Sequence, residues 1–294
     1  MHDEPLASDI AGLTGAAPLS RRGFMAAASA AAAGYTLAAG KVRADAIKTD
    51  TGGLDAGDAK IAVADGAMPA YFARPEGASK PPAILVAMEI FGIHEYIKDA
   101  VRRLAKLGAF AVAPDYYFRM GQDLTGIGSI AELMPIVNAK PDAELVADLD
   151  AAAAWVKSQG GDTSRLGIVG FCRGGRTVWI YAAHSGALKA GVAFYGSLVD
   201  PKNPLWPKSP IDLAPEMKAP VLGLYGEADR GIPVAQVEQM KAALAAAGKT
   251  AGFKIYPGAP HGFHADYRAS YRQDAAEDAW NQMQGWFRKY GVLS

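Results

Sequence analysis

From residue 60 onward, short apolar runs alternate with longer amphipathic stretches. Segments 60–63 and 70–73 read as an opening hairpin. Segment 83–88 is continuously apolar, the pattern of a strand covered on both faces. Over 96–107, Ile97, Val101, Leu104 and Leu107 recur at helical spacing. Segment 110–113 is the next strand, and 143–158 a helix with its stripe at Leu145, Leu149, Ala152 and Val156. Then come strand 166–171, helix 174–184, strands 190–195 and 221–225, helix 234–247, strand 253–256 and a closing helix over 274–290. This alternation predicts an α/β domain, with a mostly parallel central sheet flanked by helices on both faces. In such sheets ligands sit at the carboxyl ends of the strands.

Residues 48–58 are polar and glycine-rich, which predicts a linker over 45–59 ahead of a domain spanning 60–294. Before them, Ser20-Arg21-Arg22-Gly23-Phe24-Met25 leads into an uncharged, alanine-rich stretch over 26–40. That stretch is too weakly apolar for a stable membrane span, which needs about 20 strongly apolar residues. Val42-Arg43-Ala44 fits a small-x-small cleavage site. Residues 1–44 therefore resemble a twin-arginine signal peptide, which implies engagement of the twin-arginine export machinery and a periplasmic location. An uncleaved signal would leave the protein membrane-tethered.

Composition narrows the chemistry. With 50% hydrophobic and 20% charged residues in 294, the chain is neither disordered nor fibrous. Lys+Arg and Asp+Glu are both 30, so no net basic field exists to hold nucleic acid. The single cysteine, Cys172, excludes an intrachain disulfide and a multi-cysteine zinc site. The five histidines form no H-x-x-x-H pair, so neither metal nor cofactor is expected.

Cys172 lies in Gly170-Phe171-Cys172-Arg173-Gly174, between a predicted strand and a predicted helix. This is the nucleophile-elbow pattern with cysteine in place of serine. On so sharp a turn, side chains two residues either side of the nucleophile would collide with the backbone, hence the glycines. A helix N-terminus there favours a thiolate and offers N–H groups to an oxyanion. Two further strand ends carry chemistry. Strand 221–225 runs into Gly226-Glu227-Ala228-Asp229, and strand 253–256 into Pro257-Gly258-Ala259-Pro260-His261-Gly262-Phe263. The order Cys172, Asp229, His261 is the nucleophile–acid–histidine order of α/β-hydrolases. Glu227 is a rival acid and His264 a rival base, and Asp229 could simply cap the helix near Val234.

These segments resemble the dienelactone hydrolases (carboxymethylenebutenolidases) over about residues 60–290. The resemblance rests on Glu89-Ile90-Phe91-Gly92, Ala113-Pro114-Asp115-Tyr116-Tyr117, Gly170-Phe171-Cys172-Arg173-Gly174-Gly175, Gly226-Glu227-Ala228-Asp229 and His261-Gly262-Phe263. It implies an α/β-hydrolase fold that cleaves a small-molecule lactone or carboxylic ester. Cys172 would be the nucleophile, His261 the base and Asp229 its orienting acid. The backbone N–H groups of Ile90 and Arg173 would form the oxyanion hole, Glu89 would interact with the resting cysteine, and Arg119 would bind a substrate carboxylate. Glu89 could alternatively pair with Lys98 or Arg102. The chain departs from the pattern at Ala265, where a second carboxylate-binding arginine is expected and Arg268 lies nearby, and at Gly262, where serine is expected. Another thiol-based acyl-transfer enzyme, or a binding protein on the same fold, are the competing readings.

Overall fold

The computed structural model describes residues 46–201 and 203–294. The twin-arginine segment over 1–44 lies outside the described residues. Eight strands form one sheet: β1 (Leu54–Val63), β2 (Gly66–Pro75), β3 (Pro82–Ala87), β4 (Phe110–Pro114), β5 (Asp162–Phe171), β6 (Leu188–Phe194), β7 (Val221–Gly226) and β8 (Ala251–Tyr256). Their spatial order is β1-β2-β4-β3-β5-β6-β7-β8. The β1/β2 and β2/β4 pairs are antiparallel, and β4, β3, β5, β6, β7 and β8 run parallel.

Helices α1 (Glu95–Lys106), α2 (Ile130–Asn138), α3 (Asp142–Ser158), α4 (Arg173–His184), α5 (Val234–Ala246) and α6 (Gln273–Lys289) intervene or follow. Strands β3, β4 and β7 are buried at every residue, as strands under two helical layers must be. This is the expected α/β-hydrolase arrangement. Helix α2 was hidden in the sequence by Pro135, which sits inside it and reads as a helix breaker.

The expected linker over 45–59 is corrected. Residues 54–63 are strand β1, whose register with β2 runs from Leu54 opposite Pro75 to Val63 opposite Gly66. Just before β1, the Ile47 N–H donates to Asp266 Oδ2 at 2.8 Å and the Thr49 N–H to Asp99 Oδ1 at 2.5 Å. Polarity misled here because β1 is an edge strand. Its outer face meets water, and its polar side chains form surface pairs such as Asp55–Arg74, 2.8 Å apart.

Candidate active site

Strand β5 ends at Phe171, and α4 starts at Arg173. Cys172 between them has φ 56° and ψ −116°, a left-handed backbone that costs a side-chain-bearing residue free energy. Two neighbours hold it there. A Cβ on Gly170 would come 2.1 Å from Gly174 O, and one on Gly174 would come 2.0 Å from Ala87 O. Both obstacles are backbone atoms, so only glycine allows β5, α4 and the end of β3 to approach this closely. The Cys172 N–H donates to Phe194 O at 3.0 Å, tying the turn to β6.

The thiol is buried, and Cys172 Sγ lies 3.2 Å from His261 Nε2. His261 Nδ1 lies 2.7 Å from Asp229 Oδ2. Asp229 Oδ1 accepts the N–H groups of Gly231 (2.8 Å) and Ile232 (3.1 Å), so one carboxylate both shapes its own loop and orients the imidazole. The α5 N-cap is Pro233, not Asp229. Burial disfavours charge on His261. The neighbouring Cys172 sulfur and the Asp229 carboxylate outweigh it and hold the imidazolium up to about 10.

The rivals go elsewhere. Glu227 Oε2 accepts the Gly258 N–H at 2.8 Å. With the Glu227 N–H on Tyr256 O (3.0 Å) and the Ala228 N–H on Ala259 O (2.9 Å), this clasps the acid loop to the histidine loop. His264 is a core histidine. Its ring stacks between Phe171 and Trp280, and Tyr96 Oη lies 2.6 Å from Nδ1. Burial, reinforced by the nearby Arg103 charge, pushes its pKa down to about 3.

Glu89 follows β3 and is fully buried. It pairs with neither Lys98, which faces Asp58, nor Arg102, which bonds Glu95. Its Oε2 accepts the Tyr267 hydroxyl at 2.7 Å and lies 3.3 Å from His94 Nε2, and its Oε1 lies 3.3 Å from Arg268 Nη2. Burial alone would raise this acid, but Arg268, His94 and Tyr267 hold it down at about 2. The expected partnership of Glu89 with the resting thiol is therefore replaced by one with Arg268, while the thiol faces His261. Tyr267 and His94 carried no sequence signal, because neither belongs to a recognisable motif.

Arg119 is not brought to this site. Its guanidinium bonds Asp65 at 2.6 Å, Asp148 at 2.7 Å and Glu144 at 3.2 Å, and Lys140 joins Glu144 and Asp148. A cation spent on three carboxylates has no reason to turn toward a substrate. Among the described residues, no cluster of three His, Cys, Asp or Glu side chains is spaced to hold a metal ion, and no helix is long and apolar enough to cross a membrane.

A cavity of about 200 Å³ opens beside the Asp229–His261 pair, lined by Met134, Arg173, Val199, Trp206 and Ile232 among others. Two larger hollows, of about 490 and 330 Å³, contain neither Cys172 nor His261 in their walls.

Residues 68–291 match the model of the dienelactone hydrolase family. The chain belongs to that family. It is 52% identical over 288 residues to a Methylorubrum extorquens protein provisionally named a carboxymethylenebutenolidase, covering 97% of this chain and 98% of that one. A Bradyrhizobium protein, provisionally named a 2-oxo-3-(5-oxofuran-2-ylidene)propanoate lactonase, is 33% identical over 214 residues, 72% of this chain and 85% of its own. The crystal structure of a provisionally named dienelactone hydrolase from Klebsiella pneumoniae aligns with TM-score 0.79 and 48% identity, covering 81% of this chain and 99% of that one. This dienelactone hydrolase relative is thus a hydrolase of the carboxylic ester or lactone type.

Proposed function

We propose that this member of the dienelactone hydrolase family is exported and cleaves a lactone or small carboxylic ester through Cys172, His261 and Asp229. The observation that carries the reading is the continuous relay from Sγ through the imidazole to the carboxylate, with gaps of 3.2 and 2.7 Å. A raised imidazolium beside sulfur suits a thiolate–imidazolium pair, which spares the enzyme the step of deprotonating a neutral thiol.

In this mechanism the Cys172 thiolate adds to the carbonyl carbon. The resulting oxyanion accepts the backbone N–H groups of Ile90 and Arg173. Arg173 supports this role as the first residue of α4, where an N–H has no partner inside the helix and the dipole favours negative charge. Collapse breaks the C–O bond, and His261 gives its proton to the departing alkoxide. For a lactone, that alkoxide stays attached as the hydroxyl end of the acyl chain. Water then attacks the thioester, His261 takes the water's proton, and the thiolate leaves.

The test is hydrolysis of a panel of lactones and 4-nitrophenyl esters by wild type, Cys172→Ala, His261→Ala and Asp229→Asn. The first two variants are expected to lose several orders of magnitude in kcat, with Asp229→Asn losing less. Mass spectrometry of quenched wild type should find the acyl group on Cys172. Near wild-type turnover by Cys172→Ala would overturn the mechanism. The export part rests on Arg21-Arg22, the alanine-rich stretch and Val42-Arg43-Ala44.

A further inference from the structure

Helix α1 carries a charged stripe beside its apolar one. Asp99, Arg102 and Lys106 follow one another at three- and four-residue steps, so they share a face. Asp99 and Arg102 are nevertheless buried. Charges out of water need partners, and the partner here is main chain. Residues 46–53, just ahead of β1, run across the stripe. Asp99 Oδ1 accepts the Thr49 N–H, and Arg102 Nε donates to Thr49 O at 2.7 Å. Lys106 Nζ donates to Gly52 O at 2.7 Å and to Asp50 Oδ1 at 2.9 Å. The helix therefore holds the path of this segment mostly through its backbone, with little regard to its side chains.

The same segment reaches a second partner. The Ile47 N–H donates to Oδ2 of Asp266, which is buried. Burial raises the Asp266 acid, and the Ile47 N–H is the strongest influence opposing that rise. Asp266 sits in the stretch 262–272 that follows His261, a run of turns and bends with neither helix nor strand. The Arg272 N–H on Phe263 O, at 2.9 Å, draws the two ends of that run together. Between them stand Tyr267 and Arg268, the two side chains that meet Glu89. Backbone without a ladder of its own takes its place from such ties. The strap that supplies this one lies ahead of residues 68–291, the stretch shared with the dienelactone hydrolase family.

We propose that residues 46–53 are a strap of the active site, and that Asp266, gripped by the Ile47 N–H, is a positioning residue that sets where the His261 segment stands. This inference rests on His261 serving Cys172 as its base. The route is short. Asp266 is the residue before Tyr267 and Arg268, which face Glu89, and lies five residues after His261. Because the contact is made by main chain, residue 47 can vary its side chain, whereas a proline there removes the donor. The stretch ahead of β1 thus belongs to the catalytic unit and is not a spacer.

Two pairs of substitutions test it, read as kcat and KM for 4-nitrophenyl butyrate well below each protein's Tm. Ile47→Pro removes the donor and Ile47→Ala keeps it. Asp266→Ala removes the acceptor and Asp266→Asn keeps an acceptor oxygen. Ile47→Pro and Asp266→Ala should each lower kcat by about tenfold or more, the scale of a catalytic group set out of place, while KM moves little. Ile47→Ala and Asp266→Asn should recover most of that loss. The double variant Ile47→Pro with Asp266→Ala should be no slower than the slower single variant, the mark of one shared contact. Should Asp266→Ala fail to fold, the Ile47 pair decides, since Ile47 is 44% exposed and its side chain holds no core. A lowered Tm with wild-type kcat in Ile47→Pro would reduce the strap to a structural tie and overturn the proposal. Equal losses in Ile47→Pro and Ile47→Ala, or additive losses in the double variant, would overturn it as well. Turnover that survives Cys172→Ala or His261→Ala is a different failure, since it removes the triad.

Discussion

Arg268 Nη2 and Glu89 Oε1 face each other at 3.3 Å with both side chains almost wholly out of water. Neither charge could stay buried alone. Replacing Arg268 by Gln strands the Glu89 carboxylate and should destabilise the protein by about 3–5 kcal/mol. The pair also sets an acid limit. Glu89 titrates near 2 in the folded chain against 4.5 when exposed, so its stabilisation is full above 4.5 and lost as pH falls toward about 2. That contribution is worth about 3 kcal/mol. Urea unfolding at pH 3 and 5 should show a smaller acid loss in Arg268→Gln than in wild type. Unchanged stability of the variant at neutral pH would refute the pairing.

His264 makes a second and separable acid limb. Its pKa is about 3 when folded against 6.5 when exposed, so the unfolded chain binds an extra proton between those values. Stability is therefore lost as pH falls from 6.5 toward 3, by up to about 5 kcal/mol. Asp115 works the other way. Burial raises it to about 6, so its contribution grows as pH falls from 6 toward 3.8. The informative quantity is thus the difference between variant and wild type. His264→Gln should flatten the fall in stability from pH 6.5 to 4.5, measured by unfolding at half-unit steps. Parallel curves for the two proteins would contradict a neutral buried imidazole.

Arg119 holds the chain together instead of holding substrate. Its bond to the buried Asp148 predicts that Arg119→Met lowers stability by about 1–2 kcal/mol. The ratio of kcat/KM for mono-4-nitrophenyl succinate and 4-nitrophenyl butyrate should stay at the wild-type value. A selective loss of the anionic substrate would return Arg119 to the site.

Export is checked in cells. Arg21→Lys together with Arg22→Lys should keep the protein in the cytoplasm, whereas wild type should reach the periplasm with a mature start near Asp45. Fractionation followed by N-terminal sequencing reads both outcomes, and undiminished export of the double variant would contradict the twin-arginine assignment.

The strands and the elbow were legible because their signals are local. An apolar run such as 83–88 marks β3, and two glycines around Cys172 mark a turn that only they permit. The acid and the histidine followed from chain order and their places after β7 and β8. Partnerships between distant residues were not legible. The fate of Arg119 depends on Asp65, Glu144 and Asp148, which come from different parts of the chain. That of Glu89 depends on Tyr267 and Arg268, almost 180 residues away. The first half of strand β1, over 54–59, was missed for a related reason, since an edge strand draws its stability from the neighbour's hydrogen bonds and its polar, glycine-containing start reads as a linker. Arg173 was noticed for its N–H alone, because nothing local announces that Trp206 lies under its side chain.

The clasp between the loops that carry Asp229 and His261 decides where the site can give way. Glu227 and Ala228 bind Tyr256, Gly258 and Ala259 on the opposite loop, and a Cβ on Gly226 would already strike Ala259 O at 2.2 Å. Any swing of one loop therefore carries the other, so carboxylate and imidazole ride as one rigid jaw. Cys172 belongs to the opposing jaw, anchored to β6 by its own amide. The acid–imidazole contact is thus braced by backbone bonds between its two loops, whereas the Sγ–Nε2 contact bridges two separately anchored turns.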